Sequence, residues 1–164
     1  AAPGGYRDAA WPEDWDLLLR VTEAGWGLST VGAVRLLWRE GDARLSRRDA
    51  RYGRDAFLRC RVHHLRRAFP RRLGVVIWGA GPTGKAFSRA WRAAGGGVVA
   101  FVDLDPRKLG QEVHGARVVP PEALHRYRDA LGAGAVGRAG AREEVRAGFR
   151  AQRWEEERDF VMVA

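Results

Sequence analysis

The run from Gly74 to Gly84, GVVIWGAGPTG, constrains this chain more than any other stretch. A short, continuous apolar segment closing on glycines reads as a strand buried on both faces, the kind found in parallel sheets. A parallel strand needs a long crossover before its neighbour can pair with it, usually a helix. The chain supplies one. Residues 82–94 have a helical pattern with Ala86, Phe87, Ala90 and Trp91 on one face, and Gly95-Gly96-Gly97 stops it. A second apolar run, VVAFVD (98–103), follows. Weaker strand signals come at ARVV (116–119), 130–136 and 160–163, with a helix over 141–152 between the last two. This alternation predicts an α/β fold with a small, doubly wound, parallel sheet.

Between the first strand and its helix lies G-x-G-x-x-G, at Gly79, Gly81 and Gly84. In that context the first glycine permits a tight turn, the second lets a pyrophosphate approach the backbone, and the third lets helix and strand pack closely. The helix N-terminus offers N–H groups to an anion. Asp103 ends the second strand, about where a ribose-binding acid belongs, and Asp105 is the near alternative. The expected ligand is therefore a nucleotide or NAD(P), held by Gly79, Gly81, Gly84 and Asp103. The same letters nearly spell a P-loop, Gly79 to Gly84-Lys85, but Ala86 stands where magnesium needs Ser or Thr. A competing explanation is that the glycines only close a turn.

Residues 74–125 also resemble the small Rossmann-like nucleotide-binding domains of bacterial polysaccharide-biosynthesis proteins. The likeness rests on the glycine loop, the acids ending the second strand, Lys108 and Gly110, His114-Gly115, and Val118 through Leu124. No Tyr-x-x-x-Lys set follows, and His114 reads as a turn residue.

Before this region the composition differs, and Pro70-Arg71-Arg72 marks the change. The expected division is residues 1–70 and 71–164. In the first part, a helix over 14–24 carries Leu17, Leu18 and Val21 as its apolar face, and 26–39 reads as extended chain. A second helix over 54–69 carries Leu58, Val62, Leu65 and Phe69. Glu13 and Asp14 precede the first helix between Trp11 and Trp15. Helix-start chemistry accounts for them, with Asp14 as N-cap and Asp16 as a first-turn acid.

Residues 3–50 nevertheless resemble the C-terminal part of family-2 glycosyltransferases of the GT-A fold. The matching features are Gly4-Gly5-Tyr6-Arg7, Glu13-Asp14, the Asp16–Gly25 helix, Trp38-Arg39 and Ser46. The resemblance implies inverting transfer of a sugar from a nucleotide-diphosphate sugar to a hydroxyl of a sugar or lipid-linked acceptor, in bacterial polysaccharide or glycoconjugate synthesis. It makes Asp14 the base, Glu13 a helper, and Trp11 and Trp15 acceptor contacts. Gly41 stands where many relatives have His. The family's donor-binding half and D-x-D metal motif have no counterpart here, and the first residue is Ala1. The expectation is an incomplete C-terminal portion of a GT-A domain followed by the Rossmann-like domain. Any divalent metal would lie outside this chain, and the chain alone would be inactive. The alternatives are a nucleotide or nucleotide-sugar binding or regulatory module, and an NAD(P)-dependent oxidoreductase.

The net charge of +9 invites a nucleic-acid partner, but the pattern argues against one. Lys85 and Lys108 are the only lysines, there is no Asn, and arginines are scattered among acids. The basic helix 54–69 suggests at most peripheral membrane contact. Cys60 is the single cysteine, which fits a cytoplasmic protein without disulfides. His63-His64 are adjacent on a helix, point about 100° apart and make a poor metal pair on a partly exposed surface. No metal site is expected.

Overall fold

The computed structural model describes residues 3–37, 41–42, 44–72, 74–138 and 140–164. The chain forms two compact units, Ala1–His64 and Leu65–Ala164. Among the described residues, no helix is long and apolar enough to cross a membrane.

The first unit holds α1 (Glu13–Glu23), a single turn α2 (Leu45–Arg48), and most of α3 (Arg54–Ala68). Pro12, not Asp14, occupies the N-cap position of α1, with φ −58° and ψ 124°. Proline's fixed φ and missing N–H suit it to the edge of a helix start. Asp14 falls inside the first turn, where Glu13, Asp14 and Asp16 all favour the positive end of the helix dipole. The buried face of α1 also differs from the apolar one expected. Asp16 and Arg20 are its buried residues, while Leu18 is 42% exposed. Ion pairing overrides hydrophobicity here, because Arg20 Nε reaches Asp16 Oδ2 at 2.7 Å one turn away.

Helix α3 buries Ala56, Cys60, Val62 and His64. His64 is thus interior, contrary to the exposed surface expected, and its two ring nitrogens meet carboxylates of Asp16 and Glu23. Residues 26–37 form no strand and expose Trp26, Leu28, Val31, Val34, Leu36 and Leu37.

The second unit is built on one sheet: β1 (Gly74–Trp78), β2 (Gly97–Val102), β3 (Glu112–Val113), β4 (Ala116–Val119), β5 (Leu131–Gly134) and β6 (Phe160–Met162). Helix α4 (Pro82–Ala93) links β1 to β2, and α5 (Ala141–Ala151) links β5 to β6. The strand order is β3-β4-β2-β1-β5-β6. All pairings are parallel except β3 with β4. The sheet is therefore mixed rather than wholly parallel. The antiparallel edge comes from a tight turn at His114-Gly115, both at positive φ (49° and 72°). So short a hairpin leaves little trace in hydrophobic patterning.

From β1 the chain moves one way to β2 and β4, then returns to lay β5 and β6 on the other side. Right-handed crossovers then place α4 and α5 on opposite faces. The packing agrees. On one side Trp78 meets Phe149 of α5, with ring centroids 5.0 Å apart, in a core with Val76, Val102, Trp154 and Phe160. On the other, α4 buries Phe87 and Trp91. With both faces covered, four of the five residues of β1 are buried.

Candidate functional site

In a sheet of this order, ligands bind at the carboxyl ends of the strands where the chain reverses direction. That point lies between β1 and β5, and the glycine loop is there. Gly79 has φ +113°, closed to ordinary side chains, and its N–H donates to Val102 O at 2.7 Å. A Cβ on Gly79 would come within 2.8 Å of Val136 Cγ2 and 2.9 Å of Ala135 O, so the loop is pressed against the segment leaving β5.

Gly84 sits inside α4. A Cβ there would lie 1.8 Å from Gly79 O and 3.3 Å from Ile77 Cγ2, so helix and strand approach as only glycine permits. Gly81 contrasts with both. It is the N-cap of α4, and a Cβ on it would meet nothing within 4 Å. The three glycines thus divide the work as the motif requires: turn, open approach, close packing.

The N-terminus of α4 has Pro82 as its first helical residue, no side-chain cap and no acid in its first turn. It is chemically suited to an anion. Because α4 begins at Pro82, the loop after β1 is only 79–81. A P-loop would need most of 79–84 as loop to wrap a phosphate, so the P-loop spelling is not realised.

Asp103, expected to face a ribose, is engaged within the protein. Its Oδ2 accepts from Ala80 N at 3.0 Å and from Lys108 Nζ at 2.9 Å, and its Oδ1 accepts from Asp105 N at 3.0 Å. Burial alone would raise its pKa, but the Lys108 ammonium and the two backbone N–H groups outweigh this and hold it below the usual carboxylate range. Asp103 braces the glycine loop, and a ribose diol there would have to share this carboxylate. Asp105 is committed to Arg107 through backbone and guanidinium. The Lys108 partnership was missed from spacing, although Lys108 belongs to one of the family-like motifs.

In the first unit, Glu13 Oε1 accepts from Tyr52 OH at 2.5 Å. That bond holds the Glu13 carboxyl below its ordinary value and pushes the Tyr52 phenol up to about 12. Asp14 is exposed, and its Oδ1 accepts from Trp15 N at 2.7 Å. Both tryptophan rings have protein neighbours: Trp11 lies 5.0 Å from the His63 ring and Trp15 lies 6.0 Å edge-on to Phe57. Of the other family-like features, Ser46 lies in α2, Gly5 O accepts from Arg20, and Trp38-Arg39 are outside the described residues.

No protein-family model matches the chain, and no curated protein matches it. Solved structures match parts of the chain at low similarity. One is the Rex-family repressor RSP, solved in complex with β-NADH, at 14% identity over 61% of this chain and 57% of that one, with a TM-score of 0.45. RSP was also solved with β-NAD⁺ and operator DNA, at 13% identity and a TM-score of 0.45. Another is UDP-D-quinovosamine 4-dehydrogenase from Vibrio fischeri, at 22% identity over 57% of this chain and 79% of that one, with a TM-score of 0.44. The match to the NADH-bound RSP thus spans little more than half of that protein's length. The second unit has a Rossmann-like fold on the strength of its own strand order, glycine loop and crossovers.

Proposed function

We propose that the second unit binds the diphosphate of a nucleotide, either a nucleotide sugar or NAD(P), across Gly79–Gly84 at the N-terminus of α4. The observation that carries this reading is the contrast among the three glycines: Gly79 and Gly84 are sterically required, while Gly81 faces open space. Close packing accounts for the first two. A glycine with room for a side chain is what a ligand approaching the backbone calls for. Backbone N–H groups and the helix dipole supply the attraction, and no covalent chemistry is asked of the loop.

The test is thermal unfolding of the full chain with uridine-diphosphate sugars and with NAD(H). A bound ligand raises Tm in proportion to the logarithm of its concentration over Kd. Gly81→Asp places a carboxylate where the diphosphate would lie and is expected to abolish the shift while leaving the unliganded Tm within a few degrees. Absence of a shift with every nucleotide, or a shift that survives Gly81→Asp, overturns the reading.

Sugar transfer by the first unit is a second reading, favoured by one observation. Of the first-turn acids of α1, Glu13 is tied to Tyr52 and Asp16 to Arg20 and His64, while Asp14 is exposed. As base, Asp14 takes the proton from the acceptor hydroxyl while that oxygen attacks the anomeric carbon and the nucleoside diphosphate departs. In a protein that joins this unit to a donor-binding half, with nucleotide-diphosphate sugars as donors, Asp14→Asn is expected to lower kcat about 10²–10⁴-fold at unchanged Tm. Retained activity in that variant removes Asp14 from the chemistry.

A further inference from the structure

The interior of the first unit holds a group of side chains that neither reading uses. Cys60 and His64 lie one turn apart on α3, and Asp16 of α1 faces them. All three are buried, at 0%, 5% and 4% exposure. One potential ligand atom from each, Sγ, a ring nitrogen and a carboxylate oxygen, lies within 4.8 Å of the other two.

We propose that Asp16, Cys60 and His64 form a binding site for a borderline-soft divalent cation, with Zn²⁺ as the best fit, that fastens α1 to α3. Thiolate, imidazole and carboxylate are the three ligand types zinc takes from proteins. His64 Nε2 lies 3.1 Å from Asp16 Oδ1. Two ligands bound at about 2.0–2.1 Å in a tetrahedron stand about 3.3 Å apart, so this pair needs almost no adjustment. Cys60 Sγ, within 4.8 Å of the other two ligand atoms, would have to close in, and a water would complete the tetrahedron.

The surroundings match what such a site requires. His64 Nδ1 meets Glu23 Oε1 at 2.7 Å, which directs Nε2 toward Asp16 and Cys60. A carboxylate on the far imidazole nitrogen is the usual outer support of a metal-bound histidine. Arg20 Nε holds the second Asp16 oxygen at 2.7 Å, and Oδ1, the oxygen that would take the cation, also accepts from Trp11 Nε1 at 3.1 Å.

The plain alternative is a metal-free cluster in which the His64 ring meets both carboxylates beside a neutral thiol. Burial favours that thiol form in the absence of metal, pushing the Cys60 pKa up to about 12. Zn²⁺ binding displaces the Cys60 proton, and the cation's charge is offset by that thiolate and by the Asp16 and Glu23 carboxylates, so it is not left uncompensated in the interior. Geometry therefore permits both, and the sulfur distinguishes them: only the metal site uses Cys60 as a ligand.

The experiment is titration of the chelator-treated full chain with Co²⁺, followed by Zn²⁺. Expected are one equivalent of Co²⁺ bound, tetrahedral visible bands, a thiolate-to-cobalt band in the near ultraviolet, and loss of all three on adding Zn²⁺. Cys60→Ser is expected to remove the near-ultraviolet band. Glu23→Gln, which keeps every ligand, is expected to weaken Co²⁺ binding about 10–100-fold. Wild-type protein without a thiolate band overturns the proposal and leaves the metal-free arrangement, whether or not the variants fold. A thiolate band unaffected by His64→Gln overturns the assignment of the ligand set.

Discussion

Gly84→Ala is expected to destabilise the second unit strongly, while Gly81→Ala in the same loop leaves it intact. The Cβ added at position 84 would lie 1.8 Å from Gly79 O and 3.0 Å from Gly79 C. Those are backbone atoms, and no rotamer change moves them. Nor can the loop retreat easily, because Gly79 N donates to Val102 O at 2.7 Å and the space where a Gly79 Cβ would stand is closed by Ala135 and Val136. The helix must therefore lift off β1, exposing Phe87 and Trp91. Overpacking typically costs about 1–3 kcal/mol, and a clash with pinned backbone belongs at or above the top of that range. At about 4–8 °C per kcal/mol for a domain of 60–100 residues, a loss of about 3 kcal/mol lowers Tm by roughly 12–24 °C. Gly81 has φ −87° and no neighbour within 4 Å of an added Cβ, so Ala there is expected to stay within about 0.5 kcal/mol of the parent. Denaturant unfolding of the two variants checks the pair. Equal losses would mean that the glycines do not divide the work as described.

This contrast also shows what could be read from the residues alone. GVVIWGAGPTG carries its own context: a buried strand, a turn and a helix start, all local. The fold of the second unit was legible for that reason. The antiparallel β3 was not, because two residues of a hairpin have no period to detect. The position of Asp103 was legible as well. Its engagement was not, since the partners Ala80 N and Lys108 Nζ depend on how the loops close rather than on spacing.

The first unit was harder to read because its interior is polar. Hydrophobic periodicity placed Leu17, Leu18 and Val21 inward on α1. The fold instead buries Asp16 and Arg20, with His64, 48 residues beyond Asp16. A charged residue becomes a core residue only when its partner is present, and that partner is visible only in three dimensions. The D-x-x-x-R spacing hinted at the i,i+4 pair, but the same spacing is common on solvated faces.

Arg20→Ala is expected to cost the first unit about 3–5 kcal/mol, the range for stripping one partner from a buried ion pair. Arg20 is 6% exposed, and its guanidinium serves three acceptors: Asp16 Oδ2, Pro3 O and Gly5 O. Truncation would leave Asp16 ionised in the interior and release the N-terminal segment together. The pH profile separates this from simple loss of packing. Burial works to raise the Asp16 pKa, but hydrogen bonds from Arg20, Trp11 and His64, with the Arg20 charge, outweigh it and bring it from 3.8 down to about 2. A folded-state pKa below the unfolded one means stability that is present above pH 4 and is lost as pH falls toward 2. That contribution is about 2 kcal/mol. Without Arg20, two of the causes that lower the Asp16 pKa are gone while the hydrogen bonds from Trp11 and His64 remain, so the carboxyl pKa rises from about 2 back toward its ordinary value. The deficit of Arg20→Ala should therefore be greatest near neutrality and shrink as pH falls. Arg20→Lys should recover only part of it, since an ammonium cannot reproduce the planar fork. Amide exchange along α1, followed from pH 7 to pH 3 in chelator-containing buffer, measures both quantities. A loss below about 1 kcal/mol, or one that does not vary with pH, would show that the pair is not what holds α1 in place.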